Sequence, residues 1–525
     1  MPIRLAFHGA ASTPTGTCLL IEHAAGRLLV DCGLFEGTAT VRKLNRRTLP
    51  FSPLGIDGVL LTHAHLDHAG LLPELVRAGF KGPVMATEPT CDLLGLLLSD
   101  LAERAREDAL REDRRSRRAG LPPVEPLFRR GDALRVLERL ERCDYGRWFE
   151  PAAGVRARLW NSGHLPGSAA IELEIEDGAE GPVRLLVSGD LGPDLRAAEA
   201  GPSSPGGVDH LVLACPEGDR EREEIGPGQR RERLAREVRT ALEAGGPLLI
   251  PALGAENTVE LVHALLESAA CGAIPEVPIF LDAPMAVRAV ELFARYRGAA
   301  GERGRVAGLE RLRPVAAIEQ SEALERLEEP AIVVAAGGMC EGGRIRRHLL
   351  QHLWRPTTTL LLVGYQAPGT LGQILLSGER RVRIDGEEVA VKGRIRAIDS
   401  VAGHADRREL TAWVEARRPI TGGIFLIRGE ERATLAVKSA LAAIGLDPLA
   451  VIVPHLDQRF ELAPARPPVP VPGPVRLEPR IAAMPADWHN AHARLMLDIA
   501  DELRTLPDDR SRLELLGRLR RTLRS

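Results

Sequence analysis

The sequence predicts an α/β protein made of several structural units. The chain has 525 residues, which is long enough for about three or four domains of ordinary size. Apolar runs at 27–33 and 57–65 end in polar clusters, a pattern typical of buried strands that deliver polar side chains to one edge of a sheet. From residue 228 onward, helical stretches alternate with strand-like runs, which predicts a parallel sheet with crossover helices.

Composition and charge indicate which broad classes of protein this chain does not resemble. Apolar residues make up 44% and charged residues 27%, as in ordinary soluble globular proteins, and no apolar window approaches the ~18 residues of a membrane span. The N-terminus lacks the apolar core of a secretory signal. The seven cysteines form no CxxC pair, so we expect reduced thiols in a cytoplasmic protein. A net charge of −3 and 3% aromatic residues indicate neither a broadly basic nor a base-stacking surface.

The first long helix is predicted at 91–119, where leucines at helical spacing precede a segment dense in charge. That segment, 103–118, carries both signs of charge at i, i+3 and i+4 positions. Two interpretations follow: a solvated helix with internal ion pairs, or a face that contacts RNA.

A second group of strands and helices follows, and then a third group of strands. In the second group, the strand-like runs are 245–253, 277–284 and 330–338, and the helical stretches are 228–243, 257–269 and 285–297. In the third group, the strand-like runs are 358–366, 391–399 and 422–430.

A proline-dense segment precedes the C-terminal part. Residues 464–474 hold six prolines in eleven positions, which predicts a stiff extended linker. Beyond it, 488–506 and 510–525 have the pattern of an amphipathic helical pair. A pair this short buries little surface alone, so we expect it to mediate homodimer formation or docking of a partner protein. Residues after Pro474 are expected to be dispensable for folding of the main body.

The most specific motif is a histidine cluster that directly follows the apolar run 58–62. His63, His65, Asp67 and His68 supply three imidazoles and one carboxylate within six residues, which are the nitrogen and oxygen ligands that zinc prefers. Strand alternation places His63 and His65 on the same side, and the following turn lets Asp67 and His68 point to a neighbouring spot.

Three more residues fit the same purpose. His164 lies among small residues in NSGHLPGSA, where the backbone can approach an anion closely. Asp190 ends the apolar strand of LLVSGDLG. Asp31 ends the strand of LLVDCG, from which a carboxylate can orient a histidine ligand.

In this order, HAHLDH, GHLPGSA and SGDLG resemble the motifs of metallo-β-lactamase-fold hydrolases, and the first 460 residues resemble their β-CASP branch of RNA-processing nucleases. The further phrases that carry the resemblance are CGLFEG (32–37), PIFLDAPMAVRA (278–289), AAGGMCEGGRIRRHL (335–349), GYQAPGTLG (364–372) and GHADRREL (403–410). The resemblance implies an α/β fold: an αββα metallo-β-lactamase sandwich with an inserted β-CASP α/β domain over the active site, here with a C-terminal helical extension. The implied divisions are 1–218 for the first part of the sandwich, 219–393 for the β-CASP domain, 394–462 for the second part of the sandwich, 463–475 for the Pro-rich linker and 476–525 for the helical extension.

The resemblance also implies zinc as the cofactor and a set of ligands for it. Carried over to this chain, the ligands of the first zinc are His63, His65 and His164, those of the second are Asp67 and His68, and Asp190 bridges the two. A water between the metals would attack the phosphorus of an RNA phosphodiester, because zinc lowers the pKa of bound water toward ~7.

Further roles are assigned from the same resemblance and, for Arg428, from the suitability of its planar fork for a phosphate. Asp67 and Arg428 are candidate catalytic residues, and His404 would protonate the departing oxygen or stabilise the charge of the transition state. Ser168 and Arg428 are candidate substrate-binding residues. Backbone loops around 337–343 and 364–372 are expected over the RNA cleft.

The chain departs from the family's pattern at three places. Ala214 stands where the family has an acid that orients the histidine corresponding to His404, and Glu217 is a candidate replacement. Arg428 stands where the family has a histidine that completes the second zinc site, and arginine cannot donate a lone pair to a metal. The third departure is a loop with Glu256 and Asn257 in place of a Gly-Arg pair.

These departures leave the first zinc site complete and compromise the second, so we expect closer to one zinc per chain than two. The favoured interpretation is a zinc-dependent hydrolase of single-stranded RNA in which Arg428 clamps the scissile phosphate with its planar fork. The alternative is a catalytically impaired pseudo-nuclease that serves as an RNA-binding or scaffold subunit. A metallo-hydrolase of small molecules is the third interpretation.

Overall fold

The structure is a computed structural model. It describes residues 2–37, 39–118, 120, 122–176, 181–192, 205–222, 227–252, 255–297, 309–364, 366, 370–398, 403–476, 499, 502–503, 506 and 508–522. Most of the first predicted C-terminal helix, 488–506, lies outside the described residues, whereas the second is described over Asp509–Thr522.

The described residues form twenty-three strands in four sheets. The strands are β1 (Ile3–Phe7), β2 (Leu19–His23), β3 (Gly26–Val30), β4 (Gly58–Leu60), β5 (Val84–Ala86), β6 (Leu140–Arg142), β7 (Trp148–Ala152), β8 (Val155–Asn161), β9 (Ala169–Ile175), β10 (Val183–Val187), β11 (Val208–Ala214), β12 (Leu248–Ala252), β13 (Ile279–Asp282), β14 (Leu312–Pro314), β15 (Ile332–Ala336), β16 (Thr359–Val363), β17 (Arg381–Ile384), β18 (Glu387–Ala390), β19 (Arg394–Ile398), β20 (Ile420–Ile427), β21 (Val451–Ile452), β22 (Arg459–Leu462) and β23 (Val469–Val471).

Helices pack against the three larger sheets. The α-helices in the described part of the chain are α1 (Ala39–Arg42), α2 (Leu66–Ala69), α3 (Leu72–Arg77), α4 (Glu88–Arg118), α5 (Arg130–Leu137), α6 (Pro227–Leu242), α7 (Ala255–Ala270), α8 (Pro284–Arg297), α9 (Ile318–Leu324), α10 (Ile345–His352), α11 (Leu371–Leu376), α12 (Arg407–Glu415), α13 (Glu431–Ala443) and α14 (Asp509–Thr522). None of these is both long and apolar enough to cross a membrane.

Two sheets face each other around one apolar core. The first has the strand order β23-β22-β1-β2-β3-β4-β5-β6, and the second has the order β21-β20-β11-β10-β9-β8-β7. Because side chains alternate along a strand, Leu5 and Phe7 point into the core between the sheets, whereas Ala6 points to the helix layer outside. Across the two sheets, the ring centroids of Phe7 and Phe425 lie 5.0 Å apart. Each of these two sheets thus combines strands that precede residue 215 with strands that follow residue 419.

Helices complete the sandwich. Helices α3, α4 and α5 pack on the outer face of the first sheet, and α12 and α13 pack on the outer face of the second. This arrangement confirms the αββα sandwich expected from the sequence.

A third sheet lies between the two pieces of the sandwich in sequence. Its order is β14-β13-β15-β12-β16-β19, and all of its neighbouring strands are parallel, as the alternation of strands and helices predicted. Helices α6, α7 and α8 pack on one face, and α10 and α11 on the other. Strand β19 belongs to this third sheet. The sheet therefore extends five residues past the division that the sequence analysis placed between 393 and 394.

The unit built around the third sheet packs against the sandwich. Its helix α8 and the sandwich helix α4 contribute side chains to one apolar cluster. At this junction the Tyr296 hydroxyl donates to Asp92 Oδ2 at 2.7 Å, and Arg142 Nη2 donates to Asp92 Oδ1 at 2.8 Å.

The charge-dense part of α4 pairs its charges within the helix. The ion pairs are Arg104 with Asp100, Arg106 with Glu103 and Arg117 with Asp113. These pairs favour the interpretation of this segment as a solvated helix.

The proline-dense segment is extended, as expected, but it packs on the body over part of its length. Its residues Val469–Val471 form β23, an edge strand that pairs with β22. Proline is compatible with an edge strand because one side of that strand needs no hydrogen-bond donor. Just beyond, Arg476 Nε lies 3.0 and 3.1 Å from the two carboxylate oxygens of the buried Asp457, whose Oδ1 also lies 2.8 Å from His8 Nδ1.

We expect Arg476→Ala to lower the free energy of unfolding by about 2–4 kcal/mol, because it leaves a buried carboxylate with one charged partner fewer. A matched control is Arg4→Ala, since Arg4 pairs with Glu461 at 2.9 Å where both side chains are about one-third exposed; its expected cost is about 0–1 kcal/mol. Urea unfolding of both variants checks the difference. Equal losses would show that the Arg476 contact does not anchor this segment.

Candidate metal centre

The histidine cluster lies where β4 ends and a short helix begins. Thr62 and His63 follow the buried strand, and α2 starts directly after His65. Asp67 and His68 are in the first turn of α2. The change from strand to helix therefore directs the four candidate ligands of this motif toward one edge of the first sheet.

The other two candidate ligands reach the same edge from the second sheet. His164 lies in the loop between β8 and β9, and Asp190 follows β10. His63, His65, His164 and Asp190 each offer one ligand atom, and these four atoms all lie within 4.8 Å of one another.

The separations of these atoms fit a tetrahedral zinc ion. His65 Nδ1 lies 3.0 Å from His63 Nε2 and 3.2 Å from His164 Nε2. Asp190 Oδ2 lies 3.8 Å from His63 Nε2 and 3.9 Å from His164 Nε2. Ligand atoms of a regular tetrahedron around zinc are about 3.3 Å apart, so small shifts would complete the shell.

Burial prepares the two innermost imidazoles for a metal. It lowers the pKa of His63 and the pKa of His164, in both cases with help from neighbouring histidines. Both rings are therefore neutral at pH 7 and keep a lone pair for a cation. Within His164, Nδ1 lies 2.5 Å from the carbonyl oxygen of Gly403; donation to that oxygen assigns the lone pair to Nε2.

The loop that carries His164 is closed by Ser168. Its Oγ accepts hydrogen bonds from the backbone N–H groups of His164 and Leu165, both at 3.1 Å, and the residue is fully buried. The Ser168 hydroxyl thus shapes the loop that positions a metal ligand, and its role in substrate binding stays a prediction.

Three hydroxyl groups that the sequence analysis missed anchor the same loop. Thr87 and Thr90 donate to Gly167 O at 2.6 and 2.8 Å, and the Tyr145 hydroxyl donates to Ser168 O at 2.8 Å. The threonines are nearly eighty residues away along the chain, and no motif in the sequence signals these contacts.

Asp31 orients His68. Its Oδ2 lies 2.7 Å from His68 Nδ1, and it accepts hydrogen bonds from the backbone N–H and the hydroxyl of Thr62, each at 2.8 Å. Asp31 adopts a φ of 62°, a strained conformation for a residue other than glycine. His68 Nε2 then faces Asp190 Oδ1 at 3.6 Å.

Arg428 lies between the carboxylates assigned to the second zinc. It follows β20, only 6% of it is exposed, and its Nη1 pairs with Asp67 while its Nε lies 2.8 Å from Asp190 Oδ1. Burial has the largest single effect on the pKa of Asp67 and raises it, but the charges of Arg428, His68 and His65 together outweigh burial and lower this pKa to about 2. The residues present therefore fit one metal ion, at the three-histidine site, and do not fit a second ion while the guanidinium is in this position.

His404 stacks on His164, with ring centroids 4.7 Å apart and an interplanar angle of 18°. Its Nδ1 lies 3.5 Å from Asp190 Oδ2, and burial lowers its pKa to about 4. The ring therefore stands beside the predicted metal position and is neutral at pH 7.

The candidate replacement for the missing acid acts on the backbone near His404. Ala214 is buried, and its N–H donates to Ser188 Oγ at 3.0 Å. The Glu217 carboxylate pairs with Arg222, whose Nη1 donates to His404 O at 2.9 Å. Glu217 thus supports His404 through Arg222.

The remaining candidates are described only in part. The side chains of Glu256 and Asn257, at the start of α7, lie outside the described residues. The loop 337–343 is described in full, and the loop 364–372 is described at 364, 366 and 370–372. Gln366 Nε2 donates to Gly338 O at 3.1 Å. The two loops expected over the cleft therefore contact each other.

Comparison with known proteins agrees with this geometry. Residues 13–212 match the metallo-beta-lactamase superfamily, residues 258–375 the Beta-Casp domain, and residues 388–453 the Zn-dependent metallo-hydrolase RNA specificity domain.

Individual relatives agree as well. The chain is 35% identical over 456 residues to Ribonuclease TTHA0252 of Thermus thermophilus, covering 84% of this chain and 97% of that protein. It is 31% identical over 403 residues to transcription termination factor FttA of Pyrococcus horikoshii, covering 74% of this chain and 59% of that protein. A crystal structure of a protein of unknown function from Enterococcus faecalis has the same fold, with a TM-score of 0.50, 14% identity and coverage of 88% of this chain and 100% of that one. The chain therefore belongs to the β-CASP branch of the metallo-β-lactamase superfamily.

Proposed function

We propose that this chain is a zinc-dependent hydrolase that cleaves phosphodiester bonds in single-stranded RNA. The observation that carries the proposal is the convergence of His63, His65, His164 and Asp190 within 4.8 Å at one edge of the sandwich. The match to an RNA specificity domain and the similarity to a ribonuclease support RNA as the substrate.

The proposed reaction divides its tasks among these residues. His63, His65, His164 and Asp190 would hold zinc, which supplies a water that is acidic near neutral pH. The water oxygen would bond to phosphorus while the bond from phosphorus to the departing ribose oxygen breaks. Asp190, whose carboxylate lies at the centre of the site, would accept a proton of that water and pass a proton on to the departing oxygen. His404 is neutral, so it donates a hydrogen bond to the phosphate and thereby stabilises the negative charge of the transition state.

The pseudo-nuclease alternative is not favoured. The ligands of the first zinc are in place, their loop is fixed by buried hydroxyls, and Asp31 still orients His68. A chain used only as a scaffold has no physical need of this arrangement.

We also propose a cytoplasmic location, supported by seven free cysteines, five of which are buried. The C-terminal helices are proposed to mediate homodimer formation or partner docking. Helix α14 supports this, because Leu513 and Leu516 are exposed on it. The division into a two-part sandwich and an inserted β-CASP domain is supported by sheet membership, with the second part of the sandwich beginning after β19.

The experiment that tests the proposed function is zinc removal and return. Protein dialysed against a chelator should lose cleavage of a fluorophore-labelled single-stranded RNA, and stoichiometric zinc should restore it, with metal content followed by elemental analysis. Protein prepared in parallel with His65→Ala controls for contaminating nuclease. Cleavage that persists in zinc-free protein would contradict the proposal.

A further inference from the structure

The second metal position of this chain already holds a cation that belongs to the protein. The Arg428 guanidinium contacts Asp67 and Asp190, which are the carboxylates that a second zinc would need. We infer that Arg428 permanently replaces the second metal ion, so that the enzyme works with one zinc and one fixed guanidinium. The catalytic part of this inference rests on the proposed function, whereas the metal count does not.

The backbone holds Arg428 in place. Its N–H donates to Ala10 O at 2.7 Å, and its φ of 64° lies in the left-handed region that arginine adopts rarely. Asp31, on the other side of the site, has a φ of 62°. Such conformations persist only where the surrounding structure enforces them. The backbone therefore fixes one end of the Arg428 side chain, and Asp67 and Asp190 hold its guanidinium at the other end.

Charge explains why the guanidinium stays. Arginine remains protonated in proteins, and Arg428 is almost fully buried. Turning it away would leave the carboxylates of Asp67 and Asp190 buried without this partner, a change that is strongly unfavourable. A second Zn²⁺ would have to displace a bound cation and would find no lone pair at residue 428.

Two of the residues assigned to the second zinc, His68 and Asp190, still face each other. His68 Nδ1 is held by Asp31 at 2.7 Å, which leaves Nε2 directed at Asp190 Oδ1, 3.6 Å away. Asp67, His68 and Asp190 carry groups that can bind zinc, but the Arg428 guanidinium contacts both carboxylates and residue 428 supplies no lone pair. Histidine at this position would remove the cation and also supply the lone pair. This is why one substitution should change the metal count.

The chemistry assigned to Arg428 is electrostatic. A guanidinium cannot acidify a water as Zn²⁺ does, so the attacking water depends on the three-histidine site alone. Its positive charge and planar N–H fork are suited to a phosphate. It would stabilise the charge that develops on a non-bridging oxygen of the scissile phosphate, because Asp67 and Asp190 hold it next to the first zinc position.

The test compares the native chain with Arg428→His, Arg428→Lys and Arg428→Ala, each loaded with excess zinc, desalted and analysed for metal. We expect one zinc per chain in the native protein and in Arg428→Lys, and two in Arg428→His. Two zinc ions in the native chain, or one in Arg428→His, would overturn the inference. This readout needs no activity, so it stands even if RNA cleavage is absent and the proposed function fails.

Cleavage of the labelled RNA then tests the catalytic role. Arg428→Ala should lose on the order of 100-fold in rate while keeping one zinc, and Arg428→Lys should retain more activity because it keeps the charge. Melting curves establish which variants are folded, and Arg428→Lys serves as the decisive variant if Arg428→Ala does not fold. A cleavage rate of Arg428→Ala equal to or above that of the native chain would show that the arginine has no catalytic role. If Arg428→Ala does not fold, the same comparison is made with Arg428→Lys.

Discussion

His65→Ala is expected to abolish RNA cleavage, with a loss on the order of 1,000-fold or more, and to release zinc. His65 Nδ1 lies within 3.0–3.2 Å of two other ligand atoms, so its removal opens the centre of the site. The fold should survive, because the apolar cores of the sandwich do not include His65. Elemental analysis, RNA cleavage and circular dichroism check the three parts of this expectation.

A matched control is His23→Gln. His23 is a buried histidine, and it lies at the far end of β2 from Thr17, whose hydroxyl is 3.4 Å from His68 Nε2. This variant should keep both zinc and cleavage. Unchanged cleavage by His65→Ala would refute the site assignment, and loss of zinc in His23→Gln would show that the comparison reports general destabilisation.

Gly192→Ala is expected to lower cleavage on the order of 100-fold and to weaken zinc binding, because displacements of about 1 Å in a catalytic site have effects of this size. A Cβ at residue 192 would lie 1.8 Å from Gly163 O and 2.7 Å from His164 N. The loops that carry Asp190 and His164 would therefore have to separate. Cleavage rates and zinc affinity, measured by competition with a chromophoric chelator, check this result.

Gly131→Ala is the control for this substitution. Gly131 lies in α5, and a Cβ there meets no atom within 4 Å, so alanine should be neutral or should stabilise the helix by up to about 1 kcal/mol. Native rates and native zinc affinity in Gly192→Ala would contradict the close fit of the two loops.

The sequence was sufficient for features that depend on local pattern. Continuous apolar runs predicted several strands of the sandwich, at 27–33, 57–65 and 422–430, and alternation of strands with helices predicted the parallel sheet. The spacing of His63, His65, Asp67 and His68 after a buried strand indicated a metal site, because the end of a strand fixes where nearby side chains point. Asp31 was expected to orient a histidine, and it lies 2.7 Å from His68 Nδ1.

Features that depend on contacts between distant parts of the chain could not be read in this way. The sequence showed a conflict at Arg428, but not that its side chain reaches Asp67, 361 residues away. Nor did it show that Ser168 is buried and accepts a hydrogen bond from the backbone N–H of His164, because both features depend on tertiary packing. The proline-dense segment was extended as predicted, yet its pairing with β22 required the edge of a sheet formed elsewhere.

The most direct test of the central claim is an anomalous difference map from crystals of the native chain grown with excess zinc, recorded above and below the zinc absorption edge. We expect a single peak among His63, His65 and His164, with the Arg428 guanidinium between Asp67 and Asp190. Two peaks, with Arg428 turned away from these carboxylates, would contradict the account, and so would the absence of a peak at the three-histidine site.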